Sequence, residues 1–182
     1  EGMSVGDSLL DYMSEEKIKT ELKENRYMYE YTATDDFGEV YLSSEGETYD
    51  QISFFVKTVS GNKFISKKNS KDGKFIIYRI SGIISYIEDL NGCLKKQNEI
   101  AREFSVILKN TKKTEQSFDH AIDPSGRSSV KKVVYNFDTA DQIQITCIDF
   151  EENLRVKNNW TEGLRIDITT KEVNEWLKTR KN

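Results

Sequence analysis

Phe75-Ile76-Ile77-Tyr78-Arg79-Ile80-Ser81-Gly82-Ile83-Ile84-Ser85-Tyr86-Ile87 is the most apolar run of the chain. Arg79, Ser81, Gly82 and Ser85 interrupt it, so it is no membrane span, which needs about 20 nearly continuous apolar residues. Its Ile and Tyr content reads as a strand, with a bulge or bend expected at Gly82. Directly after it, Leu90, Cys93, Leu94, Gln97, Ile100, Ala101 and Phe104 recur at steps of three and four and draw one face of a helix over residues 91–110. Asn91 or Asp89 is placed to cap it. A long strand followed by an amphipathic helix makes this pair the organising element, with the rest of the chain as sheet or cover.

Working outward towards the N-terminus, residues 1–25 read as a helical segment. Asp7 is expected to cap a short helix, and Ser14 a second one that carries Glu15 and Glu16 in its first turn. Gly6-Asp7-Ser8 has the composition of a nucleophilic-serine block, but no strand precedes it and no histidine partner is evident, so a helix cap is the better reading. Residues 26–87 hold the first set of strands: a Tyr-rich segment 26–34, a return over 39–43, and 52–59, where Ile52, Phe54 and Val56 share a face.

Towards the C-terminus, residues 110–129 lack periodicity and read as a loop with the only histidine, His120, and the only proline, Pro124. Three strands follow in an antiparallel meander over 130–169, with a turn at Thr139-Ala140-Asp141 and a polar loop over 156–163. Thr170 caps a terminal helix over 170–180. The expectation is one α+β domain spanning 1–182: a mostly antiparallel sheet, one long helix packed on it, and short helices at both termini.

Composition bounds the function. The chain has 182 residues, 36% hydrophobic and 32% charged, with nine Tyr and nine Phe, and a net charge of −4. Residues 1–50 hold 14 acidic and four basic side chains, and the remainder 17 acidic and 23 basic. Six lysines fall between Lys57 and Lys74. These read as a protected hairpin edge or, through Lys63, Lys67, Lys68 and Lys71, as a patch for an anionic partner. The acidic pI disfavours nucleic acid. No transmembrane segment is expected; the chain opens Glu1-Gly2-Met3 rather than with an initiator methionine, which reads either as a processed product from which an export signal was removed or as an excised piece, and leaves the presence of such a signal open.

Chemistry-bearing residues are sparse. Cys93 lies on the helix stripe and Cys147 on the apolar face of its strand with Ile143 and Ile145. A helix packed on a sheet brings such faces together, which makes a disulfide the favoured reading; its loop would contribute about 4 kcal/mol and imply an oxidising compartment. Two reduced buried thiols, or a reactive Cys93 thiolate at a helix N-terminus, are the alternatives. His120 lies in Asp119-His120-Ala121-Ile122-Asp123-Pro124-Ser125-Gly126, which is turn chemistry or a catalytic set with loop carboxylates. Trp160, in the sequon Asn159-Trp160-Thr161, reads as sheet-edge packing or as an anchor for a ligand. One histidine and two separated cysteines make no zinc pattern, Asp35-Asp36 and Glu45 with Glu47 lack calcium-loop spacing, and no phosphate loop is present. No metal and no cofactor is expected.

Val5-Gly6-Asp7-Ser8-Leu9-Leu10 with Met13-Ser14-Glu15-Glu16, the strand Ile76-Ile77-Tyr78 to Gly82, the Cys93 helix, Asp123-Pro124-Ser125-Gly126, Thr146-Cys147-Ile148-Asp149 and Thr169-Thr170-Lys171-Glu172 resemble an uncharacterised family of small exported proteins from marine alphaproteobacteria. That resemblance implies an envelope (periplasmic) or secreted location, fits paired cysteines, and brings no activity and no catalytic residue. The expected function is non-enzymatic binding of a protein or small molecule, or an accessory role. The alternatives are a small hydrolase or transferase using His120, and a phage or host-interaction module using the Lys-rich hairpin.

Overall fold

In the computed structural model, residues 2–26, 37–43, 48–57 and 74–179 are described. They hold seven strands: β1 (Phe37–Ser43), β2 (Gln51–Lys57), β3 (Ile77–Ser85), β4 (Lys112–Asp119), β5 (Ser129–Asn136), β6 (Gln142–Asp149) and β7 (Gly163–Thr169). Four α-helices accompany them: α1 (Glu15–Asn25), α2 (Leu90–Ile107), α3 (Glu152–Asn158) and α4 (Lys171–Thr179). The sheet order is β1-β2-β3-β7-β6-β5-β4, antiparallel, and α2 is the longest helix at 18 residues. The fold is α+β. The chain divides into two compact units, one of Glu1–Ser43, Gln51–Ser81 and Ile168–Asn182, the other of Ser44–Asp50 and Gly82–Asp167. The expected Tyr-rich strand over 26–34 and the lysines Lys63, Lys67, Lys68 and Lys71 lie outside the described residues.

In the first unit the strands are buried on both faces. Val40, Phe54, Val56 and Ile77 pack with Leu9, Met13 and Ile18 from the N-terminal segment. Phe37, Phe55 and Tyr78 pack on the other face with Val173 and Trp176 of α4. Two-sided burial is why Phe54-Phe55-Val56 and Ile76-Ile77-Tyr78 are continuous apolar runs without alternation. The caps expected at Ser14 and Thr170 form, with Ser14 Oγ accepting from the Lys17 N–H and Thr170 Oγ1 from the Val173 N–H. The cap expected at Asp7 does not: the short element is a 3₁₀ turn, Leu9–Asp11, capped by Ser8. Ser8 Oγ accepts from the Leu10 N–H and donates to the Lys74 carbonyl, while Asp7 accepts from the Ser4 N–H and the Tyr12 hydroxyl. The chain at residues 6–9 hydrogen-bonds along residues 75–77, which moves the cap one residue on.

In the second unit α2 lies on β5 and β6, capped by Asp89, whose carboxylate accepts the Gly92 N–H at 2.8 Å. Three ties spaced one turn apart hold it. Cys93 and Cys147 form a disulfide. Gln97 Nε2 donates to the carbonyls of Lys131 and Ile145, both at 2.8 Å. The Tyr135 hydroxyl donates to the Ala101 carbonyl at 2.6 Å. Around them Val133, Ile145 and Leu164 close the core. Gly82 sits inside an unbroken β3, where a Cβ would come within 2.7 Å of the Tyr49 ring, so close ring packing explains the glycine. The turn expected at Thr139-Ala140-Asp141 forms, with Ala140 at φ 67°.

Two elements correct the sequence reading. The segment 110–129, expected to be a loop, contains β4, and the segment 156–163, expected to be a polar loop, begins inside α3. Every β4 residue except Thr114 is exposed, and α3 buries no side chain. With no buried face, neither leaves a hydrophobic period to read.

Two outcomes test the α2 anchorage. No thiol should alkylate under denaturing conditions until reductant is added; reduction, which opens a link spanning 54 positions, should then cost about 4 kcal/mol of unfolding free energy in urea titration. Gln97→Leu keeps the volume but loses both carbonyl bonds, and the same titration should show a loss of about 1–3 kcal/mol.

Candidate functional site

Three connections in the second unit carry its polar side chains: the loop over 120–128, α3 with its flanks, and the residues before α2. The loop is built on Asp123, which is 5% exposed. Its Oδ1 accepts from the Ser125 N–H and hydroxyl at 2.8 and 2.6 Å, and its Oδ2 from the Ser128 N–H and hydroxyl, both at 2.8 Å. The Ser125 hydroxyl leads these bonds in holding the Asp123 carboxyl well below the usual carboxylate range, and burial opposes them only in part. Ser128 Oγ in turn accepts from the Glu151 N–H, and the Glu151 carboxylate accepts from the Leu154 N–H at the start of α3 and pairs with Arg127. The Asp123–Ser128–Glu151 chain thereby ties the loop to α3.

The aromatic residues meet beside that chain. The Phe150 ring lies 5.1 Å from the His120 ring and 4.9 Å from the Trp160 ring, centroid to centroid. Trp160 reaches it because α3 ends in a left-handed Asn159 (φ 52°), and the Trp160 N–H turns back to the Arg155 carbonyl. All three rings are half-buried. His120 Nδ1 accepts from the Ile122 N–H at 3.3 Å, so in the neutral ring the proton sits on Nε2. Burial pushes the imidazole pKa down, against the pull of Asp123, and keeps the ring neutral at pH 7. Among the described residues, His120 Nε2 and Trp160 Nε1 make no hydrogen bond.

A second acidic position is Glu162, 2% exposed. Its carboxylate accepts from the Glu88 N–H at 2.5 Å and the Phe150 N–H at 3.2 Å, with Arg155 Nε at 3.8 Å. Gly163 follows at φ 137°, where a Cβ would strike the Ile84 carbonyl and lie 2.6 Å from the Tyr86 nitrogen. Burial, then the charge of Glu162, raises the Asp149 pKa.

Of the residues singled out from sequence, Cys93 and Cys147 are bonded, and His120 and Trp160 are brought to two sides of one ring. The sequence reading missed that ring, Phe150, and the two buried hubs, Asp123 and Glu162. Asp-Pro-Ser-Gly signalled a turn around Asp123; nothing local distinguishes Phe150 or Glu162 from neighbouring surface positions. Chemically, the Asp123 and Glu162 carboxylates are taken up by backbone and hydroxyl donors, and no carboxylate bonds to His120 among the described residues. Nor do the described residues hold a cluster of three His, Cys, Asp or Glu side chains able to bind a metal ion. No helix of the described residues is long and apolar enough to cross a membrane. Comparison with protein families, with curated proteins and with solved structures finds no match for this chain.

The two aspartates have opposite expected effects. Asp123 carries a lowered folded pKa, so its stabilisation is present above the unfolded value of about 4 and is lost as pH falls through the folded one. Asp123→Asn should therefore lower the thermal midpoint at pH 7. Asp149 carries a raised folded pKa and destabilises when ionised. Asp149→Asn should raise the midpoint at pH 7, with the gain vanishing as pH approaches about 4.

Proposed function

We propose that this chain is a non-enzymatic binding or accessory protein of an oxidising compartment, in a bacterial envelope or secreted from the cell, and that it takes its ligand at the His120–Phe150–Trp160 rings. The observation that carries this reading is the ring cluster itself. A half-buried indole and imidazole, each with an unclaimed N–H, flank an apolar ring on a loop held rigid by Asp123 and Glu151. Such a surface suits a small molecule with an apolar ring face and peripheral acceptor oxygens, since aromatic walls with a few placed donors are the usual composition of ligand sites. The Cys93–Cys147 bond supports the compartment, because such bonds persist where thiols are not kept reduced. Against a hydrolase using His120 stands the loss of its acid partner: Asp123 spends all four of its bonds on Ser125 and Ser128.

The test is a fluorescence titration of the oxidised protein with a panel of sugars, nucleosides and aromatic acids, repeated on Trp160→Ala and His120→Ala. A saturable spectral change in the parent that Trp160→Ala abolishes, with the thermal midpoint kept within a few degrees, is the expected result. Binding that both variants leave intact would place the ligand elsewhere. Turnover of an ester or phosphoester that His120→Gln abolishes would overturn the reading in favour of the enzyme.

A further inference from the structure

The two strands that end the sheet order differ in how their outer edges are treated. On β1 two of the outward-pointing groups are taken up by α1: Asn25 Nδ2 donates to the Glu39 carbonyl, and Glu21 accepts from the Tyr41 N–H. On β4 nothing comparable occurs among the described residues. It pairs with β5 residue for residue from Lys112↔Asn136 to Asp119↔Ser129, without a bulge or proline, and no described strand pairs with its other edge. An open edge of this length is a template for another strand unless something blunts it.

The direction of the unused groups follows from the register. The His120 N–H donates to the Ser128 carbonyl, so the even-numbered residues turn their backbone groups towards β5. Lys113, Glu115, Ser117 and Asp119 therefore present theirs outward. Among these four, Lys113 pairs with Glu115 at 2.8 Å, and Asp119 has no salt bridge among the described residues. Phe118 is 46% exposed on the opposite face, with Lys132 beside its ring.

We propose that β4 pairs antiparallel with β4 of a second copy of this chain, with Gln116 opposite Gln116 on the two-fold axis. An axis normal to the sheet keeps each side chain on its own face, so only residues of like parity can face each other. Within that limit, centring on Gln116 sets Lys113 against Asp119, Glu115 against Ser117 and Thr114 against Phe118. Every outward N–H and C=O of the four odd-numbered residues then has a partner, roughly eight bonds in all. The unclaimed Asp119 carboxylate gains an ammonium at each end. Neighbouring registers are disfavoured by charge: one sets Glu115 against Glu115, the other sets Glu115 against Asp119. The register is thus selected by the charge pattern of a single strand.

The test uses the full oxidised chain. Sedimentation equilibrium should show a reversible dimer, lost in Ser117→Pro, which removes an outward N–H without touching the β5 pairing. Lys113→Asp and Asp119→Lys should each lose the dimer as well, and the double variant should regain it. Facing residues at a non-hydrogen-bonded position have Cα atoms about 4.5 Å apart, within reach of a disulfide. Gln116→Cys should therefore oxidise to a covalent dimer, read by intact mass without reductant, many-fold faster than Thr114→Cys, which faces Phe118. Should Ser117→Pro lower the thermal midpoint, the charge exchange decides. A monomer at all concentrations, a dimer untouched by these changes, or equal cross-linking at positions 114 and 116 overturns the proposal.

Discussion

The second unit depends on one seam, where α2 meets β5 and β6 through Cys93, Gln97 and Ala101, each one turn beyond the last. The seam mixes three kinds of tie: a covalent bond, an amide that reaches carbonyls on two strands, and a tyrosine hydroxyl received by a helix carbonyl. A hydrophobic stripe alone would let the helix slide, because apolar contact is non-directional. The Gln97 bonds are directional and buried, so a shift by one residue would leave a buried amide and two carbonyls without those partners, at a cost larger than the bonds themselves contribute. The disulfide acts on the unfolded chain by closing a loop that spans 54 positions. Register and entropy are thereby handled by different atoms on the same stripe.

Beyond that seam, the connections are organised by buried carboxylates. Asp123 shapes the loop over 120–128, Glu151 starts α3, and Glu162 holds the backbone on either side of it, at Glu88 and Phe150. Each is met by several donors, which is the condition under which a polar side chain is tolerated away from water. Asp149 is the exception: it lies beside Glu162, and its raised pKa reflects burial and repulsion. The aromatic cluster inherits its rigidity from these hubs, since His120, Phe150 and Trp160 all lie within a few residues of one of them.

In the first unit, aromatic side chains take the place of such hubs. Phe37 contacts Tyr78 and Trp176 edge-on, with ring centroids 5.3 and 5.2 Å apart, and Phe55 contacts Trp176 at 5.9 Å. Lys57 lies over Phe37 and Tyr78, and Arg79 over Phe55, so cationic side chains lie against the margin of an apolar layer. A terminal helix with only Val173, Trp176 and Leu177 to bury can dock because one of those residues is a tryptophan that meets two rings.

What the sequence determined by itself is local: the caps at Ser14 and Thr170, a cap for α2 narrowed to Asp89 or Asn91, the alternation that names β5, β6 and β7, the helical stripe that carries Cys93, and with these the α+β class. Each rests on a period or a spacing within a few residues, which a linear reading can detect. Tertiary structure alone decided three things. It made residues 112–119 a strand although neither face is buried, because the ladder to β5 needs backbone groups rather than a hydrophobic pattern. It decided that Cys93 and Cys147 are bonded rather than reduced, by setting the two apolar faces in contact. It brought His120 and Trp160 to one phenylalanine, a meeting of positions up to 40 apart in the chain, where only the path of the backbone determines which side chains become neighbours.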